Sequence, residues 1–232
     1  VRASNSGKIL AVLGEHASDM GWFESPLGNA VIIAHDDNLM TVYGNLDPEF
    51  IPENIHELSY VESGTQLGVS GNSGWQQGTS CLEFQVIDLL QNSSVNPRML
   101  MPHQGKELEL SIGSVTAVSK GGSSYPVWNK MSLPAGSYFL YRSRQKTTIP
   151  YKVSVFVNGA LTERISYDKL KQSNNRLCVV GNSPYSVEQV YPDKDKQLLS
   201  SLTLSSGKNI ITITLSDILG TEKTAEYTVY VK

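Results

Sequence analysis

The sequence predicts an all-β protein of two modules, and three observations carry that expectation. Short runs of β-branched and aromatic residues recur along all 232 residues, separated by Gly, Asn, Asp and Ser. No long segment repeats its apolar residues with the 3.6-residue period of a helix. Charge is divided unevenly: residues 1–103 carry three basic and twelve acidic residues, a net of −9, whereas 104–232 carry sixteen basic and ten acidic, a net of +6. The expected boundary therefore lies between 103 and 104.

In the first module, Lys8–Leu13, Ala30–Ala34, Met40–Tyr43, Gln66–Val69 and Leu82–Ile87 read as strands. Pro48–Leu58 is the exception. Its prolines and Glu residues suit a helix start, so one short helical turn is expected. The module closes near Val95-Asn96-Pro97-Arg98 and Pro102.

In the second module, strands are expected at Leu108–Val118, Gly136–Arg142, Tyr151–Asn158, Leu177–Val180, Leu199–Leu204, Asn209–Leu215 and Glu226–Val231. Val153, Val155 and Val157 alternate with Ser154 and Phe156, and Thr212 and Thr214 alternate with Ile211, Ile213 and Leu215. That period of two belongs to strands with one face buried. Asn158-Gly159 predicts a type I′ turn. Several turn-separated short strands read as a β-sandwich, and Ser206–Gly220 resembles the last hairpin of bacterial immunoglobulin-like modules.

Two stretches carry a further resemblance, Gly28–Leu46 (G-N-A-V-I-I-A-H-D-D-N-L-M-T-V-Y-G-N-L) and Val61–Val86, with its glycine-rich run from Gly64 to Gly74. With Gly7-Lys8-Ile9 and the closing Asn96-Pro97, residues 7–102 resemble the LytM/lysostaphin-type zinc metallopeptidases, which cut peptidoglycan cross-bridges. The resemblance implies a β-sheet groove called the duplicated hybrid motif. It also exposes departures. Tyr-x-His-Leu of the family is Tyr43-Gly44-Asn45-Leu46 here, and His-x-His-Phe is Cys81-Leu82-Glu83-Phe84.

Those departures bear on chemistry. A catalytic zinc needs three protein ligands and an open position for water. In the family, a His and an Asp from an upstream H-x-x-x-D and the second His of H-x-H hold the metal. The remaining two imidazoles orient the water and stabilise developing charge. The upstream pair would fall before Val1, the water-orienting His is Asn45, and the H-x-H pair is Cys81 and Glu83. An asparagine carries no titratable proton at neutral pH. Cys81 and Glu83 can each ligate zinc, but they supply only two ligands. His16 and Asp19 are spaced one residue short of the family motif and follow the first strand rather than preceding it. His35 matches a family His that is not a ligand and is expected to be structural; His56 and His103 are expected to be exposed.

The resemblance thus implies a degenerate groove with no catalytic residues, no metal site and no cofactor. Zinc is expected only under the alternative of an active endopeptidase completed by upstream ligands. Tyr43, Asn45, Trp75, Cys81 and Glu83 are the expected groove residues, with Trp22 and Phe23 as further aromatics nearby. Aromatics beside a groove stack on sugars or hold peptides. The expected function is that of a non-catalytic cell-envelope protein, periplasmic or extracellular, which binds peptidoglycan or an envelope protein. A surface adhesion module is the other alternative.

Composition closes some classes. An acidic first module is a poor match for nucleic acid, because phosphates need cations. No apolar run approaches the roughly 18 residues a spanning helix needs, so no membrane span is expected. Cys81 and Cys178 form neither a disulfide framework nor a C-x-x-C motif and are expected to be separate thiols. The chain starts at Val1 without Met, so an upstream segment is expected to have been cleaved, trimmed or left out. No H-E-x-x-H, G-x-S-x-G or P-loop occurs in a fitting context.

Overall fold

The computed structural model describes residues 1–14, 25–75, 80–103, 105–128 and 130–232. The chain divides into two compact units, Val1–Leu100 and Met101–Lys232. Strands dominate both.

The first unit holds β1 (Gly7–Leu13), β2 (Asn29–Ala34), β3 (Leu39–Leu46), β4 (Tyr60–Val61), β5 (Glu83–Asp88) and β6 (Ser93–Val95). They lie in the order β4-β1-β2-β3-β5-β6, antiparallel throughout. β2 (N-A-V-I-I-A) and β3 (L-M-T-V-Y-G-N-L) sit centrally and are buried along most of their length, which explains their near-continuous apolar character. Val31, Ile33, Tyr43, Leu46, Ile55, Val61 and Leu67 form the core, each burial stabilising by about 1.5–3 kcal/mol for a side chain of this size.

Two local expectations change. Pro48–Leu58 contains two 3₁₀ turns rather than one helical turn, Pro48–Phe50 and Glu53–His56. Asp47 caps the first by accepting the Glu49 N–H, and Pro52 lies between the two, where its ring restricts the preceding residue to extended backbone. Gln66–Val69 is not a strand. It makes a single bridge to Arg2, while its carbonyls and amides bond to the chain start: Leu67 N donates to Val1 O at 3.0 Å, and the Val1 ammonium donates to Gly68 O at 2.7 Å. Its apolar residues pack as a loop, and Leu67 is fully buried.

The second unit adds β7 (Val115–Ser119), β8 (Ser124–Val127), β9 (Met131–Leu133), β10 (Gly136–Ser143), β11 (Lys152–Val157), β12 (Ala160–Ser173), β13 (Arg176–Val180) and β14 (Pro184–Ser186). They are followed by a four-residue helix α1 (Val187–Val190), β15 (Lys196–Leu204), β16 (Gly207–Ser216) and β17 (Glu222–Val231). One sheet runs β15-β10-β7-β8. The other runs β12-β11-β16-β17-β9, with β13 on β12 and β14 on β13. One buried cluster joins residues of both, among them Val115, Leu140 and Leu199 from the first and Val153, Val155, Ile211, Ile213 and Val229 from the second. These are the inward members of the sequence alternation.

Asn158 and Gly159 form the two-residue turn between β11 and β12, with φ of 52° and 81° and Val157 opposite Ala160. Both central residues are left-handed, as a type I′ turn requires. Asn174-Asn175 turns β12 into β13 in the same way, with φ of 49° and 61°. Leu108–Val118 shortens to a strand beginning at Val115, because Gly113 takes a φ of 66° and interrupts the extended run.

Candidate functional site

The site begins with a close approach of two loops in the first unit. A Cβ on Gly28 (φ +63°) would lie 2.3 Å from the Ser73 carbonyl carbon, and one on Gly71 would lie 2.5 Å from the Asp47 nitrogen. Only glycine permits this contact. It is then bonded: Ser73 Oγ donates to Leu46 O at 2.6 Å and accepts Asn29 N–H at 3.0 Å, and Trp75 N donates to Pro26 O at 3.0 Å. The glycine-rich run thus lies against the turn before β2 and the end of β3.

Asn45 sits where these segments meet. It is fully buried and left-handed, with φ of 60°, a conformation that asparagine tolerates better than most residues. Its Nδ2 donates to Gly71 O and to Cys81 O, both at 2.8 Å, and its Oδ1 accepts Gly74 N–H at 2.7 Å. Its backbone N–H donates to Leu27 O at 2.6 Å, and its carbonyl accepts Gly71 N–H at 2.7 Å. Both amide protons and the amide oxygen are engaged with the backbone. Asn45 therefore lines no open groove, contrary to expectation. With two carbonyl oxygens against Nδ2, it also presents no lone pair on that side for a metal.

Tyr43 is likewise enclosed rather than groove-lining. It is 2% exposed, its ring packs 5.2 Å from that of Phe84, and its hydroxyl accepts Ser4 N–H at 2.8 Å. It is opposite Phe84 in the β3–β5 register, on the core side of the sheet.

The remaining three candidates lie together. Cys81 bridges to Gly71 just before β5, its half-buried thiol 3.5 Å from Asn45 Nδ2. Glu83 opens β5. Its Oε2 accepts the Trp75 indole N–H at 2.8 Å, and its Oε1 accepts the Gln85 side-chain amide at 2.7 Å. Trp75 is 66% exposed. Sequence reading missed Gln85. The signal was present in the alternation of a strand, since residues 83 and 85 project to one face.

The donor set does not fit a zinc centre of the kind found in the family the sequence resembles. Asn45 has spent its amide on backbone, which leaves Cys81 and Glu83 as two ligands where a catalytic zinc takes three. Among the described residues, no three His, Cys, Asp or Glu side chains gather closely enough to hold an ion. His35 lies apart. It is buried, with Nδ1 2.8 Å from Ser6 O and Nε2 2.8 Å from Thr41 Oγ1. A carbonyl only accepts, so Nδ1 donates to Ser6 O. His56 and His103 are exposed, as expected. His16, Asp19, Trp22 and Phe23 lie outside the described residues.

Comparison with known proteins bears on this geometry. Residues 1–97 match the family model described as Peptidase family M23. A separate family model matches residues 109–232. An uncharacterized protein of Treponema pallidum (strain Nichols) is 36% identical over 75 residues, covering 32% of this chain and 50% of that protein. The chain thus spans about half the length of this curated relative. The segment that matches Peptidase family M23, residues 1–97, is the one that carries the glycine-dependent loop contact and the β2–β3–β5 sheet.

Proposed function

We propose that this chain is a non-catalytic M23-type protein of the cell envelope, periplasmic or extracellular, that binds peptidoglycan or an envelope protein without cleaving it. The family is peptidoglycan-related and typically extracellular or envelope-associated. Among the described residues, no helix is long and apolar enough to cross a membrane. The observation that carries the reading is Asn45: where the resemblance places a water-orienting imidazole, the chain has a buried amide wholly committed to holding loops together. The positions of the H-x-H pair, Cys81 and Glu83, supply no imidazole, and the Glu83 carboxylate is engaged by Trp75 and Gln85. Residues 104–232 act in this reading as an immunoglobulin-like module that positions the first.

Metal analysis and cleavage assays on the full-length protein test it. We expect background zinc, no release of fragments from purified peptidoglycan or a glycine-rich peptide, and retention of the protein on sacculi. Stoichiometric zinc with cleavage would overturn the proposal in favour of an active endopeptidase. Retention by residues 104–232 alone, with none by the first unit, would assign the binding to the second module.

A further inference from the structure

We infer that Trp75, Glu83 and Gln85 form a stacking platform for a neutral glycan, so that the ligand class of this face is carbohydrate rather than peptide. This deepens the envelope-binding reading above and rests on it. An exposed indole is commonly a surface accident, held by little and costly to order on binding. Trp75 is different because two bonds fix it and the acceptor of one is itself held. Its backbone N–H donates to Pro26 O at 3.0 Å, its indole N–H donates to Glu83 Oε2 at 2.8 Å, and Glu83 is itself held through Oε1 by Gln85 at 2.7 Å. Glu83 and Gln85 both belong to β5, which pairs with β3 from Gly44 to Leu39. The indole is thus ordered by a strand of the sheet, while two-thirds of its surface remains open to solvent.

The chemistry around the ring selects the ligand. A pyranose presents a face of polarised C–H groups, which suit an indole face, and a rim of hydroxyl and acetamido groups, which suit a carboxylate and an amide. The groups bonded in series to the indole are a carboxylate and an amide, which offer hydrogen-bond partners to such a rim. Residues 1–103 carry a net charge of −9, which disfavours phosphate-rich or other polyanionic polymers and leaves an uncharged N-acetylated saccharide unopposed.

The test titrates the full-length protein with a soluble β-1,4-linked N-acetylglucosamine oligomer, and separately with a stem peptide lacking sugar, following calorimetric heat and tryptophan emission. The chain has three tryptophans, so Trp75→Phe assigns the optical signal. The expected result is saccharide binding with an emission change absent in Trp75→Phe, at least tenfold weaker binding in Trp75→Ala, and no heat from the peptide. Glu83→Gln, which retains an acceptor for the indole, should bind more tightly than Trp75→Ala. Unchanged saccharide affinity in Trp75→Ala would overturn the inference, as would binding of the peptide alone. Retention on sacculi without saccharide binding would sink the glycan assignment and leave the envelope reading standing; loss of both in the parent protein would sink the two together.

Discussion

Asn45 joins three stretches of chain through a single side chain, and the cost of altering it follows from where its protons point. Asn45→Asp preserves size and the left-handed tolerance but replaces two donors with an acceptor facing the Gly71 and Cys81 carbonyls. Each buried group left without a partner costs about 1–3 kcal/mol, and a buried carboxylate against two carbonyls adds to that. The expected loss for the first unit is roughly 3 kcal/mol or more, read as a fall in the denaturant midpoint without a change in slope. A midpoint within experimental error of the parent would mean that the Asn45 clasp is not formed in solution. The same residue shows why sequence reading placed it wrongly. A motif position records where chemistry would sit in a relative, whereas burial depends on segments that arrive from residues 25–28, 71–75 and 80–81. Tyr43 was misplaced for a related reason: Y-x-H reads as a site, but strand register sends residue 43 to the core beside Phe84.

Elements with a period were the legible ones. The cores of β1, β2, β3 and β5 and of β10, β11, β15, β16 and β17 follow directly from apolar runs or alternation. The 14-residue β12 (A-L-T-E-R-I-S-Y-D-K-L-K-Q-S) escaped notice because its charged residues mask the pattern. Glu163 is buried there by accepting Asn182 N–H at 2.7 Å and the Tyr185 hydroxyl, partners that no local window contains. The short strands β4, β6, β9 and β14 exist only because a neighbour pairs with them. The β11–β12 turn offers a clean test of an element that was legible. Gly159 has φ of 81°, and a Cβ there would meet nothing within 4 Å. Gly159→Ala therefore adds no clash and carries only the left-handed penalty of about 1–2 kcal/mol. Its thermal midpoint should fall accordingly, with the near-ultraviolet dichroism of the folded state unchanged. An unaltered midpoint would argue that this turn is not type I′.

At the scale of the whole molecule, the two units differ in how they are built as well as in charge, and alkaline pH should separate them. The second unit concentrates buried phenols. Burial raises the pKa of Tyr167, with a smaller contribution from Tyr191 beside it; Tyr185 is raised first by burial and then by its hydrogen bond to Glu163. Burial also raises Tyr141, Tyr191 and Tyr227. The sign follows from proton counting. An unfolded tyrosine releases its proton near its ordinary value of 10.0, while the folded one retains it, so above that pH the folded state holds more protons than the unfolded state. The stabilisation is complete below about pH 10 and declines as pH rises further, by about 1.4 kcal/mol per pH unit for each such tyrosine. Chemical denaturation of residues 101–232 between neutral pH and pH 11 should show stability falling only above about pH 10, in step with a cooperative rise in tyrosinate absorbance. Tyr185→Phe removes one of these phenols and should flatten the decline. Phenols that titrate near their ordinary value, with stability level through that range, would contradict the packing of Tyr167 and Tyr185 described above.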